Sequence, residues 1–198
     1  MSAASVERPH NERPLIAEAN HLMDRNPGYR VEIIGGQLLV SPPPDGPHAD
    51  ALTELMLPFV SAGLHGTESR LLQGVGLWLP TAAEDYAIPD LSLVDADYKD
   101  HLTENSCYDP MCFRLVVEVT SSNYRTDLRT KVAAYAEAKI PVYVVVDREH
   151  QRLHVLTEPA EDTYANHRPH APGEIVTLPD SIGAKVTLDV AAVLEAGS

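Results

Sequence analysis

The sequence predicts an α/β fold, a mixed central sheet flanked by helices and preceded by an N-terminal helix and hairpin. Three observations predict it. Short apolar runs bounded by turn residues alternate with segments whose apolar residues recur at helical spacing. Hairpin-like pairs come early and a strand–helix–strand unit comes late, an order that suits a mixed sheet better than an all-parallel one. The chain has 198 residues, 44% of them hydrophobic, enough for one domain with a sizeable core. Residues 1–12 read as a flexible N-terminal tail, and 13–198 as a single domain.

The elements follow in order. Pro14 opens a helix carrying Leu15, Ile16, Ala19, Leu22 and Met23, which stops at Asn26-Pro27-Gly28. Tyr29 to Val40 reads as a hairpin turning at Gly35-Gly36. The stretch SPPPDGP is a rigid loop, because proline supplies no N–H to a helix interior or a central strand. From His48 to about Val60, Leu52, Leu55, Met56 and Phe59 recur at helical spacing. RLLQGVGLWLP is expected as one strand of about ten residues, with Gly74 and Gly76 marking a bulge or a close-packed point. After the acidic turn Ala83-Glu84-Asp85, a second strand runs from Asp90 to about Val94, and Ala96 to Pro110 is polar and irregular.

FRLVVEVT, Phe113 to Thr120, is a short apolar run of the kind found mid-sheet. Strand alternation puts Arg114, Val116, Glu118 and Thr120 on one face, opposite Phe113, Leu115, Val117 and Val119. Ser121 and Ser122 lead to a helix over Asp127–Lys139, whose inward stripe is Leu128, Val132 and Tyr135, with Lys131 at its edge. PVYVVVD and RLHVLTEP are strands, followed by a weak strand near Glu174–Leu178 and a terminal element from Leu188.

Composition excludes several function classes. No run approaches the roughly 20 apolar residues of a membrane span, and the polar N-terminus lacks the apolar stretch of a secretory signal, so a cytoplasmic location and no membrane partner are expected. Two cysteines, Cys107 and Cys112, make neither a disulfide framework nor a four-ligand zinc site. GxxxxGK[ST] and GxSxG do not occur. Nine histidines are scattered, and His150, His154, His167 and His170 read as solvated bystanders. The net charge of −14 opposes tight binding to duplex DNA without help. Its distribution is uneven: Arg114 to Arg152 holds seven basic against five acidic residues.

The informative residues are Asp90, Glu118 and Lys131. Pro-Asp occurs three times, but only Asp90 begins an apolar strand. Glu118 ends a run expected to be buried, where a carboxylate needs a partner, a hydrogen-bond network or a metal. The plain alternatives are a salt bridge for Glu118 and an i,i+4 pair with Asp127 for Lys131, a pair worth only ~0.3–0.5 kcal/mol. From the edge of its helix, Lys131 can lean to the strand end where Glu118 stands. Two carboxylates and a lysine at strand ends suit phosphodiester hydrolysis around a hard divalent cation. A carboxylate pair alone also suits a glycosidase, or a hydrolase of small phosphorylated substrates.

The order of these segments resembles a family. Asp90 after proline, VVEVTS, D-L-x-x-K-x-x-x-Y on a helix and then PVYVVVD are similar to the Uma-two family of bacterial proteins, regarded as restriction endonucleases of the PD-(D/E)XK superfamily. The hairpin YRVEIIGGQLLVSPPP followed by His48 resembles that family's N-terminal signature, so the resemblance spans roughly Tyr29 to Leu156. It implies a restriction-endonuclease-like core and a Mg²⁺ (or Mn²⁺) ion held by Asp90, Glu118 and the carbonyl of Val119. It also implies Lys131 as the catalytic lysine. In the wider superfamily that lysine lies two residues after the glutamate; here that position is Thr120, and the following helix supplies Lys131 instead. Glu32 matches an acidic hairpin position and either completes the metal shell or stays a surface glutamate. His48 either assists the site or starts a helix, and Tyr135 either bonds near the site or belongs to the core. Nucleic acid, with DNA expected, would be the substrate, and a homodimer would allow both strands to be cut. The competing reading is a catalytically silent binding or assembly module that keeps the nuclease fold.

Overall fold

A computed structural model of the protein describes residues 13–120 and 126–198. The first helix, α1 (Pro14–Arg25), starts with proline at its first turn. Strands β1 (Arg30–Ile34) and β2 (Gln37–Ser41) form the expected hairpin, Arg30 pairing with Ser41 and Ile34 with Gln37. Helix α2 (Gly46–Ser61) begins two residues earlier than its apolar spacing indicates. Asp45 caps it by accepting the His48 amide at 2.8 Å, and Pro47 sits in the first turn, where no N–H is needed.

The predicted ten-residue strand is two strands. β3 (Ser69–Gln73) belongs to the large sheet and β4 (Gly76–Trp78) to a smaller one. The chain crosses over at Gly74, whose φ of +60° breaks the extended run. Gly76 is the close-packed point: a Cβ there would stand 2.6 Å from Cys107 Sγ. The remaining strands are β5 (Tyr86–Ala87), β6 (Leu91–Asp95), β7 (Cys107–Tyr108) and β8 (Phe113–Val119). Then come a π-helical turn (Thr126–Thr130), α3 (Lys131–Glu137), β9 (Val142–Asp147), β10 (Arg152–Ala160), β11 (Thr163–His170), β12 (Ile175–Thr177), β13 (Thr187–Asp189) and α4 (Val190–Ala196).

The large sheet has the order β11-β10-β9-β8-β6-β3; it is mixed, with β8 and β9 parallel and the other pairs antiparallel. One face packs Leu115, Val117 and Val119 against α2 and α4. The other packs Val116, Tyr143 and Val145 beneath α3 and the small sheet. That small sheet, β2-β1-β5-β4-β7, lays Ile34 on this second core, while Val31 and Ile33 on its other face pack against α1. Because β1 alternates, Arg30 and Glu32 point with Ile34 toward the main body.

Two expectations about faces are corrected. The register shifts between Leu93 and Val94, so Leu93 pairs with Leu115 while Val94 pairs with Phe113. This bulge turns Phe113 onto the face of Val116, and Arg114 instead bonds Asp95 and the carbonyl of Ile182. Lys131 does not sit at the edge of the inward stripe: it is buried with Ala134 and Tyr135, while Leu128 and Val132 are only partly covered. The wider π turn before α3 shifts the helical phase between Leu128 and Lys131. β11 was not expected; it is a largely exposed edge strand, TYANHRPH, whose proline is tolerated there. The expected tail 1–12, Ser121 and Ser122, and the side chain of Asp127 lie outside the described residues.

A candidate active site of converging carboxylates

Asp90 immediately precedes β6, and β6 runs antiparallel to β8 with Leu91 opposite Val117. The start of β6 therefore lies beside the end of β8, and Asp90 reaches Glu118 and Val119. Asp90 Oδ2 accepts the Val119 amide at 2.8 Å, and Oδ1 accepts Arg30 Nη1 at 2.6 Å, with His48 Nε2 3.4 Å away. The Asp45 cap that starts α2 sets His48 in its first turn, from which the imidazole reaches the carboxylate.

Glu118 is buried. Its Oε1 accepts Lys131 Nζ at 2.8 Å and the Tyr135 hydroxyl at 2.6 Å, two groups one turn apart on α3. Glu32 closes the cluster from β1. Its Oε2 lies 3.1 Å from Lys131 Nζ and 3.9 Å from Arg30 Nε, and its Oε1 accepts the Ile88 amide at 2.7 Å. Every candidate site residue named from the sequence, Glu32, His48, Asp90, Glu118, Val119, Lys131 and Tyr135, is thus brought to one place. All but Tyr135 line a cavity of about 890 Å³.

Arg30 completes the set, and the sequence reading missed it. Alternation along Tyr-Arg-Val-Glu would have found it, since residues two apart on a strand share a face. Burial works against its charge, but Glu118, Asp90 and Glu32 outweigh that and raise the guanidinium well above its usual range. The two central carboxylates differ. Burial opposes the Asp90 charge, yet the His48 hydrogen bond and the Arg30 charge hold its carboxyl well below the usual range. Glu118 is more deeply buried; Lys131 offsets only part of that cost, and Asp90 and Glu32 add like-charge repulsion, so its carboxyl is pushed up to about 8. Tyr135 is raised as well, by burial and then by the Glu118 charge.

Among the described residues no three His, Cys, Asp or Glu side chains stand as a ready-made metal cage, because Arg30, Lys131 and backbone amides engage the carboxylate oxygens. The donor chemistry nevertheless fits a hard divalent cation. Three carboxylates converge on one cavity, and the Glu118 pKa is raised because its present neighbours do not fully compensate a negative charge there, which a cation would do.

The fold is an α/β arrangement of the restriction-endonuclease-like class. A family model described as "Uma2: Putative restriction endonuclease" matches residues 17–191, and the chain belongs to that family. Among solved structures, the fold is shared with "a putative nuclease belonging to DUF820" from Anabaena variabilis, at 14% identity and a TM-score of 0.64. The match covers 85% of this chain and 92% of that one. No curated protein matches the chain. Among the described residues, no helix is long and apolar enough to cross a membrane.

Proposed function

We propose that the protein is a Mg²⁺-dependent endonuclease-like hydrolase of nucleic-acid phosphodiesters, with DNA the first substrate to test and Mn²⁺ able to replace Mg²⁺. The observation that carries this reading is the meeting of Glu32, Asp90, Glu118 and Lys131, from β1, the start of β6, the end of β8 and α3, on one cavity. Asp90 and Glu118 would hold the ion through their carboxylate oxygens, with the Val119 carbonyl beside them and Glu32 available to the shell. When bound, the ion polarises the phosphate and lowers the pKa of an attached water.

The chain's own groups do the rest. The Val119 amide and His48 fix the Asp90 carboxylate in orientation, and Tyr135 does the same for Glu118. Lys131 holds its ammonium where charge develops on the phosphoryl oxygens or where the attacking water must be oriented. Arg30 bonds Asp90; a cation held by that carboxylate would take its place there, and the guanidinium would then be positioned to meet a phosphate. Cutting both strands of a duplex requires two such sites, which a homodimer would supply.

The test is nicking of supercoiled plasmid with Mg²⁺ or Mn²⁺, by the native protein and by Lys131→Met. Nicking that needs the ion and is lost in the variant supports the proposal; nicking that survives the substitution overturns it. The net charge of −14 favours a second reading, a silent binding or assembly module. That reading gains if neither DNA nor RNA is cut by a folded, metal-loaded protein.

A further inference from the structure

A second group of titratable side chains gathers at the end of β9. Asp147, 1% exposed, closes that strand, and the turn after it brings the chain back as β10. His154 pairs with Val145 and so projects from the same sheet face as Asp147. His150, in the turn, places Nδ1 3.0 Å from Asp147 Oδ2, and His154 Nε2 lies 3.6 Å from that same oxygen. On the neighbouring strand β11, His167 Nε2 is 2.9 Å from His154 Nδ1.

His154 Nε2 is buried and has no hydrogen-bond partner. If His154 Nδ1 donates its proton to His167, Nε2 is a bare lone pair facing a carboxylate oxygen. Two electron-rich atoms held together away from water are costly unless a cation lies between them. A tetrahedral ion with bonds of about 2.0–2.2 Å to nitrogen and oxygen spaces its ligand atoms roughly 3.3–3.5 Å apart. The two distances to Asp147 Oδ2, 3.0 and 3.6 Å, bracket that spacing. Burial lowers the pKa of both His154 and His167, which keeps the rings neutral, the form that binds metals.

We propose that Asp147 Oδ2, His150 Nδ1 and His154 Nε2 bind a divalent transition ion of the zinc class, with His167 as the outer partner that fixes the His154 tautomer. A mixed imidazole–carboxylate set of this kind selects zinc-like ions over Mg²⁺. The outer His–His bond is the arrangement that orients a ligating ring. As they stand, the described side chains are not a ready-made three-ligand group. His150, whose side chain is 52% exposed and whose Nδ1 already lies 3.0 Å from Asp147 Oδ2, closes it by turning its ring. Three protein ligands leave the fourth position to water. The ion would brace the turn that carries Arg148, whose backbone amide bonds Thr120 and whose guanidinium bonds Asp45 at the rim of the carboxylate cavity.

The test is a Co²⁺ titration followed by visible absorption, with Mg²⁺ in excess to occupy any all-oxygen site. The native protein should show the intense bands of tetrahedral Co²⁺ at one ion per chain, displaced by equimolar Zn²⁺. His150→Ala and His154→Ala should each weaken binding at least 100-fold, and His167→Ala about ten-fold. His150 is exposed enough for its variant to stay folded, which the thermal midpoint verifies. No tetrahedral spectrum in the native protein, or native affinity in either His150→Ala or His154→Ala, overturns the proposal.

Discussion

Asp85 and Glu118 are both buried carboxylates, yet they are held in opposite ways. Asp85 accepts the amides of Gly35 at 2.6 Å and Gly36 at 3.0 Å, and the Thr81 hydroxyl. Both glycines have positive φ, +60° and +70°, which turns their N–H groups toward it. Its partners are neutral and local to two loops, and it ties the β1–β2 turn to the chain before β5. Glu118 is held instead by an ammonium and a phenol, stands among other carboxylates, and borders a cavity. Burial alone does not mark a functional acid. The kind of partner, and access for something from outside, separate a tie from a site.

The largest effect that would break this contrast is at Glu118. Glu118→Gln should lower metal-dependent cleavage by roughly 1,000-fold. Its thermal midpoint should shift by only a few degrees, because the amide keeps a hydrogen bond and Lys131 keeps Glu32. Cleavage rates and a melting curve on the same preparation check it. Asp85→Ala should behave the other way round. It removes the acceptor of three hydrogen bonds and should cost about 3–5 kcal/mol, or roughly 10 °C of thermal midpoint. Cleavage per folded molecule, assayed well below the transition, should not change.

A smaller effect sharpens the comparison through pH. The folded pKa of Glu118, about 8, lies above its unfolded value, so the native state holds a proton that the unfolded chain has released. The stability linked to it is fully present below the unfolded value near 4.5 and is lost as pH rises toward 8. In EDTA the thermal midpoint should therefore fall between pH 5 and pH 9, and the fall should shrink in Glu118→Gln. An unchanged slope in the variant would assign the effect elsewhere. The smallest expected signal is none at all. Cys107 and Cys112 are buried, and burial pushes both thiols up to about 12. A maleimide probe at pH 8 should label neither until the protein unfolds.

The same contrast shows what the sequence could reveal. Glu118 stood out because a charge at the end of Leu-Val-Val breaks an apolar run, and Asp90 because it opens one. In the sequence Asp85 is one residue of an acidic turn, and nothing local says that two glycine amides from another loop close on it. Arg30 is readable from its alternation with Glu32. The depth of Lys131 was not readable, because a π turn leaves no periodic trace that would announce the change of phase. The Gly74 crossover, the bulge at Phe113–Arg114 and the edge strand β11 were hidden for a related reason. Each depends on which sheet a segment joins, and β11 carries too few buried side chains to show a pattern. The histidines near Asp147 passed for bystanders because strand pairing, not spacing along the chain, brings them together.

Whether Asp90 and Glu118 bind a metal together is measured by Mg²⁺ calorimetry. The native protein should bind Mg²⁺ at this site, and an Asp90→Ala/Glu118→Ala variant shown to be folded by circular dichroism should not. Equal Mg²⁺ binding by the two proteins, or none by either, would contradict the account and leave both carboxylates as structural groups.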